Sequence, residues 1–242
     1  RKIDEKGVMR KVLGTVDKAY LESIAKSKYK GKVQTGELAI ITTFSDIAFD
    51  HKDNMFISDR LNHQIRKVTA QGKITTIAGT GESAHYGDGG PASEASFRDP
   101  SALVTDEEGN LYIGDSANNL VRKIDTNGIV STVAGNGKHE NSGDGGPALQ
   151  AGIKNIDYLG VSPAGELHIA GMNSHIVRKV TKDGNIESVA GNGYQGFFGD
   201  GGPATKAMLK SPTAIAFDQK GNLYISDMGN SRIRKVDTNG II

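Results

Sequence analysis

The chain has 242 residues, 36% of them hydrophobic and 24% charged, with 29 basic against 28 acidic side chains. A net charge of +1 supplies no overall field to draw it to nucleic acid or an anionic membrane, and no apolar run reaches membrane-spanning length. The absence of cysteine removes disulfides, thiolate metal sites and cysteine nucleophiles together.

Glycine, at 32 residues, has roughly twice its usual share, the mark of many tight turns between short strands. The segment Gly87-Asp88-Gly89-Gly90-Pro91-Ala92 returns at 143–148 and at 199–204. An Arg-Lys pair stands at Arg66-Lys67, Arg122-Lys123, Arg178-Lys179 and Arg234-Lys235, and every step is 56 residues. The chain therefore divides into a partial copy over 1–16, a lysine-rich linker over 17–43, full copies over 44–99, 100–155 and 156–211, and a partial copy over 212–242.

Taken from the start, Arg1-Lys2-Ile3-Asp4 matches Arg234-Lys235-Val236-Asp237, so both ends supply the same strand. With no methionine or signal peptide at Arg1, this duplication points to a stretch of a longer array. A four-bladed ring with a spare strand is the alternative. In the linker, Leu21, Ile24 and Ala25 share one helical face and precede Lys26, Lys28, Lys30 and Lys32. That pattern reads as a surface helix with a solvated tail, or as a docking patch for an anionic partner.

Each full copy reads as four short strands. In the second these are 102–106, 111–114, 120–124 and 130–134, separated by Glu108-Gly109-Asn110, by 115–119 and by Thr126-Asn127-Gly128. Turns this short force an antiparallel meander. The first strand carries Ile47, Leu103, Leu159 and Ile215, each followed by a smaller residue at Ala48, Val104, Gly160 and Ala216, as a sheet covered on both faces requires. Repeated four-stranded sheets buried on both sides are the blades of an all-β propeller, with a β-solenoid as the structural rival. After each insert proline come Ala95 and Phe97, Ala151 and Ile153, Ala207 and Leu209, which predicts a short helical turn tucked against the blade.

The run Leu223-Tyr224-Ile225-Ser226-Asp227, then Asn230, Arg232-Ile233-Arg234-Lys235-Val236-Asp237 and Gly240, resembles the NHL repeat. The Gly-Asp-Gly-Gly-Pro-Ala insert resembles a version found in bacterial NHL proteins and related to that of the teneurin propeller. The resemblance covers nearly the whole chain. It implies a closed propeller, often of six blades, and no single activity.

In a meander, the turns between second and third strands share a face with the inserts that join copies. That face gathers Asp59, Asp115 and Asp227 with Asn62, Asn118 and Asn230, and the insert aspartates Asp88, Asp144 and Asp200. Recurrence in every copy favours capping of turn backbones, since a calcium site needs six to eight converging oxygens and no EF-hand spacing is present. The insert lacks the lysine and serine of a phosphate-binding P-loop. The Arg-Lys pairs, with neighbouring side chains facing opposite ways, suit hydrogen bonding between blades better than a nucleic-acid track.

The third copy departs most from the pattern. His168 stands where the others have Phe56, Tyr112 and Tyr224, Gly171 replaces the recurrent aspartate, and Met172 and His175 lie beside it. Two histidines in one copy are either packing residues or candidates for metal ligation or general base work. Tyr86, Tyr194, Phe197 and Phe198, just ahead of the insert motifs, either anchor a partner, stack on a sugar or pack onto the next blade.

No catalytic, metal or cofactor-binding residue is assigned. The partner-binding candidates are Tyr86, Asp88, Asp144, His168, Met172, His175, Tyr194, Phe197 and Asp200, on the long-loop face, for a protein or carbohydrate ligand. The resulting expectation is a binding or scaffold module of a bacterial surface or secreted multidomain protein, extracellular or periplasmic, without membrane insertion. An enzyme of the propeller lyase or lactonase kind, with a metal in the central channel, is the alternative, and none of the six histidines lies on a first strand. RNA binding, as in some animal NHL proteins, is a third reading, which would require a basic face.

Overall fold

The computed structural model describes residues 2–3, 9–10 and 44–242. The helix expected around Leu21, Ile24 and Ala25 and the lysines after it lie outside the described residues. Strands β1 (Lys2–Ile3) and β2 (Met9–Arg10) form an antiparallel pair with Lys2 opposite Arg10.

The first full copy folds as β3 (Phe44–Phe49), β4 (Met55–Asp59), β5 (Gln64–Val68) and β6 (Ile74–Ala78). The second is β7 (Pro100–Thr105), β8 (Leu111–Asp115), β9 (Leu120–Ile124) and β10 (Val130–Ala134). The third is β11 (Tyr158–Val161), β12 (Leu167–Ala170), β13 (Val177–Val180) and β14 (Ile186–Ala190). The last contributes β15 (Pro212–Phe217), β16 (Leu223–Asp227) and β17 (Arg232–Val236).

In each sheet the strands pair in chain order, antiparallel, with no strand shared between sheets. A solenoid would pair strands of successive copies, so this pattern excludes it. The first strands instead pack against one another, β3 on β7, β7 on β11 and β11 on β15. The molecule is an all-β, four-bladed propeller with no α-helix among the described residues.

Local chemistry sets the turns. Asp106 accepts the amide of Asn110 at 2.8 Å and Asp218 that of Asn222 at 2.9 Å, closing the turns between first and second strands. Asp125 and Asp237 accept the amides of Ile129 and Ile241 in the turns that follow third strands, and these bonds hold their carboxyls below the usual range. The turns between second and third strands take a single 3-10 turn that ends in left-handed backbone at His63, Asn119 and Ser231.

The core lies between blades. Ala48, Phe56 and Ile65 of the first blade meet Leu103, Leu111 and Ile113 of the second, and the insert residues Ala92, Ala95 and Phe97 complete that cluster. Ala148, Ala151 and Ile153 do the same one blade on. The expected short turns are the 3-10 turns Ala92–Glu94, Ala148–Gln150 and Ala204–Lys206.

Each insert runs from the fourth strand of one blade to the first strand of the next. It folds back on the end of the fourth strand, where Gly79 donates its amide to Ala92 at 3.0 Å. The first insert then bonds the start of β10 and the turn before it, through Gly89 to Val130 at 2.8 Å and Ala92 to Gly128 at 2.8 Å. The first glycine of the motif is obligatory here. At Gly87, φ is +99° and an added Cβ would sit 2.6 Å from the Cα of Ala95.

Among the described residues, nothing packs on the outward faces of the first and last blades. Ile47, Phe49, Ala214 and Ala216 are exposed, and Ile233 on β17 is 70% exposed, whereas its counterparts Ile65, Val121 and Val177 are fully buried.

Candidate functional site

The recurrent aspartates at the ends of second strands are buried nodes. Asp59 accepts from Nε of Arg66 at 2.9 Å, Asp115 from Nη1 of Arg122 at 3.5 Å, and Asp227 from Nη1 of Arg234 at 3.4 Å. Asn62, Asn118 and Asn230 donate to the same carboxylates at 2.8–2.9 Å. The amides of Arg98 and Lys210, at the ends of the inserts, add bonds of 2.7 Å to Asp115 and Asp227. The nodes thus tie turn, third strand and insert together, rather than capping the turn backbone. Burial pushes the Asp115 carboxyl up, opposed by Asn118, the Arg98 amide and Arg122.

The insert aspartates reach third-strand arginines from outside. Asp88 pairs with Arg122 at 2.7 Å, Asp200 with Arg234 at 2.5 Å, and Asp144 with Arg178. Asp88 also accepts from the hydroxyl of Thr132 at 2.6 Å, and Asp144 from the amide of Ser188 at 3.0 Å. Because these partners sit on third and fourth strands, the three carboxylates lie along the outer rim. Chain order alone had gathered them on the long-loop face. Each holds an insert onto the following blade, with a buried arginine as its counter-charge.

The third copy is built differently. A Cβ at Gly171 would meet the carbonyl oxygen of Asn155 at 2.3 Å, so glycine there lets the incoming chain close against the strand end. Met172 donates its amide to Asp157 at 2.7 Å. His168, buried on β12, stacks edge-on against Phe217 of the next blade with ring centres 4.7 Å apart, and its Nδ1 meets the carbonyl of Glu166 at 3.0 Å. Burial holds its pKa below the ordinary imidazole value.

His175 occupies the repeat position of His63. Both take left-handed backbone, and Nδ1 accepts the amide of Ser211 at 3.2 Å in one and of Asp99 at 3.3 Å in the other. The recurrence at a step of two copies was readable in the sequence and marks an inter-blade clasp. The structure does not bring His168 and His175 together with a third ligand. Among the described residues no group of three or more His, Asp or Glu side chains is placed to hold an ion.

The insert aromatics lie at the surface. Tyr86 is half-exposed, with its hydroxyl donating to Glu82 at 3.0 Å. Tyr194 and Phe198 are 72% and 66% exposed, and Phe197 lies under the guanidinium of Arg232, 4.1 Å from its ring centre. Between the first two inserts a cleft of about 580 Å³ is lined by His85, Arg98, Asn118, Leu120, Thr132 and Asn136. It had no signature in the sequence, because its walls come from two inserts and two strands.

Antiparallel blades clasped by buried Asp–Arg nodes, in 56-residue units, define an NHL-type propeller. The Teneurin NHL domain family matches residues 80–144 and 182–242, a little over half of the chain, and the chain belongs to that family. Teneurin-m of Drosophila melanogaster is 30% identical over 206 residues, covering 75% of this chain and 7% of the relative. Human Teneurin-1 is 25% identical over 279 residues, covering 77% of this chain and 10% of the relative. The chain thus spans a tenth or less of the length of these relatives.

Among solved structures, a protein of unknown function from Bacteroides thetaiotaomicron superposes with a TM-score of 0.63 at 19% identity, covering 79% of this chain and 46% of that one. Virginiamycin B lyase from Staphylococcus aureus gives 0.55 at 16% identity, covering 83% and 54%. An auxiliary nutrient binding protein from Bacteroides ovatus gives 0.58 at 19%, covering 78% and 46%. At these identities the likeness is one of fold.

Proposed function

We propose that this propeller is a recognition and scaffold module, displayed at a cell surface or in a secreted multidomain protein, that captures a ligand through its inserts. One observation carries the reading: what recurs in every blade holds the blades together, whereas insert positions not kept in all three copies, at Tyr86, Tyr194, Phe197 and Phe198, carry exposed or half-exposed aromatic surface. Exposed aromatics on a rigid disc are suited to anchoring a partner.

The histidines that would favour a lyase are engaged between blades, His168 with Phe217 and His175 with Ser211. That engagement supports a non-catalytic reading. A photo-crosslinking residue placed at Tyr86 or Tyr194 should give discrete adducts, and one at Glu107 on the opposite edge should not. Turnover of a lactone or cyclic peptide by protein holding stoichiometric metal would overturn the proposal.

A further inference from the structure

We infer that the tip of the third insert, residues 193–198, and the cations beside it form a docking surface for an acidic protein segment that carries an apolar anchor. The inference rests on the recognition reading and names its partner. At the 56-residue step the three inserts align position by position. Glu82, His85 and Tyr86 of the first, and Lys138, Asn141 and Ser142 of the second, become Tyr194, Phe197 and Phe198. Glu94 and Gln150 give way to Lys206, Glu140 gives way to Gly196, and Leu120 and Ile176 give way to Arg232. Relative to the first insert, the third thus has a ring in place of Glu82 and a cation in place of Glu94, and relative to the second it has lost Glu140.

The fold brings these exchanges to one place. Asn230 donates through Nδ2 to the Gly196 carbonyl at 2.7 Å, pinning the tip to the turn between β16 and β17. On that turn Met228 is exposed, and the amide of Gly229 donates to the carbonyl of Lys210 at 2.8 Å. Arg232 covers Phe197, leaving the rings of Tyr194 and Phe198 to solvent. The carboxylates of Asp200 and Asp227 are both paired with Arg234, while Lys206, Lys210 and Arg232 enter no ion pair among the described residues.

Charge complementarity therefore calls for an anionic partner, and the rings call for apolar surface to bury. A tip with two phenylalanines and few convergent amides or carboxylates suits an apolar side chain better than a sugar. A single-stranded nucleic acid would need stacking rings spaced along a basic track, and the cations here flank one tip.

Random dodecapeptides displayed on phage and selected on the immobilised chain test this. The expected winners carry Asp or Glu around Phe, Leu or Met, and bind more weakly as salt is raised. Their affinity should fall about tenfold or more for Tyr194→Ala with Phe198→Ala, and again for Lys206→Glu with Lys210→Glu. All four side chains are exposed, and unchanged thermal melts would show the fold intact.

Neutral or basic winners, no winners, or acidic winners indifferent to these variants would each overturn the inference. Acidic winners lost instead on Tyr86→Ala would overturn it while leaving the recognition reading standing. Tighter binding of a uridine-rich dodecanucleotide or a heparin oligosaccharide, lost on the same variants, would overturn the peptide partner in favour of polyanions.

Discussion

Single residues decide what each blade tolerates. Burial disfavours the charged form of His168, so its folded pKa lies below the ordinary value of about 6.5. The unfolded chain then binds the proton more readily. Stability is complete above about pH 6.5 and is lost as pH falls from there through the folded pKa. His168→Tyr, which restores the residue found at Tyr112 and Tyr224, should shrink the fall in Tm between about pH 7.5 and pH 5.5; an unchanged fall would assign the acid sensitivity elsewhere. Gly171→Asp makes a sharper case, since it restores the recurrent carboxylate beside the buried Arg178. The backbone oxygen of Asn155, 2.3 Å from the new Cβ, cannot rotate away. The substitution should therefore destabilise by about 1–3 kcal/mol in urea unfolding, and a gain in stability would show that the missing ion pair outweighs the clash.

At the scale of the element, the insert is held by two kinds of contact whose strengths can be separated. Phe97 is fully buried between blades and lies beneath the guanidinium of Arg122 at 5.3 Å. Asp88 is half-exposed at the rim. Phe97→Ala should cost about 3–5 kcal/mol, and Asp88→Ala about 1 kcal/mol, because solvent screens the pair and Asp115 still faces Arg122. Equilibrium denaturation of both variants checks the order; a larger loss for Asp88→Ala would make the clasp electrostatic rather than hydrophobic. The motif is thus a strap with an apolar nail, and its glycines shape the strap rather than cradle an anion.

Across the whole molecule, stability is a sum over neighbouring blades. The second and third blades are covered on both faces, whereas the last leaves Ile233 and the β15 surface open. Amide hydrogen exchange of the 242-residue chain should be slowest in β8 and β12 and fastest in β17. Uniform protection across the blades would contradict this additive picture.

The sequence by itself determined the repeat, the strand order and the propeller, because a period of 56 residues, turn residues at fixed offsets and two-sided apolar first strands are all local signals. It also exposed the departures at His168 and Gly171, since a broken repeat needs no coordinates to be seen. Only tertiary structure decided what those residues touch. The partners of Asp88 and Asp144 lie 34 residues further along the chain, and those of His63 and His175 lie 36. Such pairings depend on how one blade is twisted against the next, and no local pattern encodes that angle.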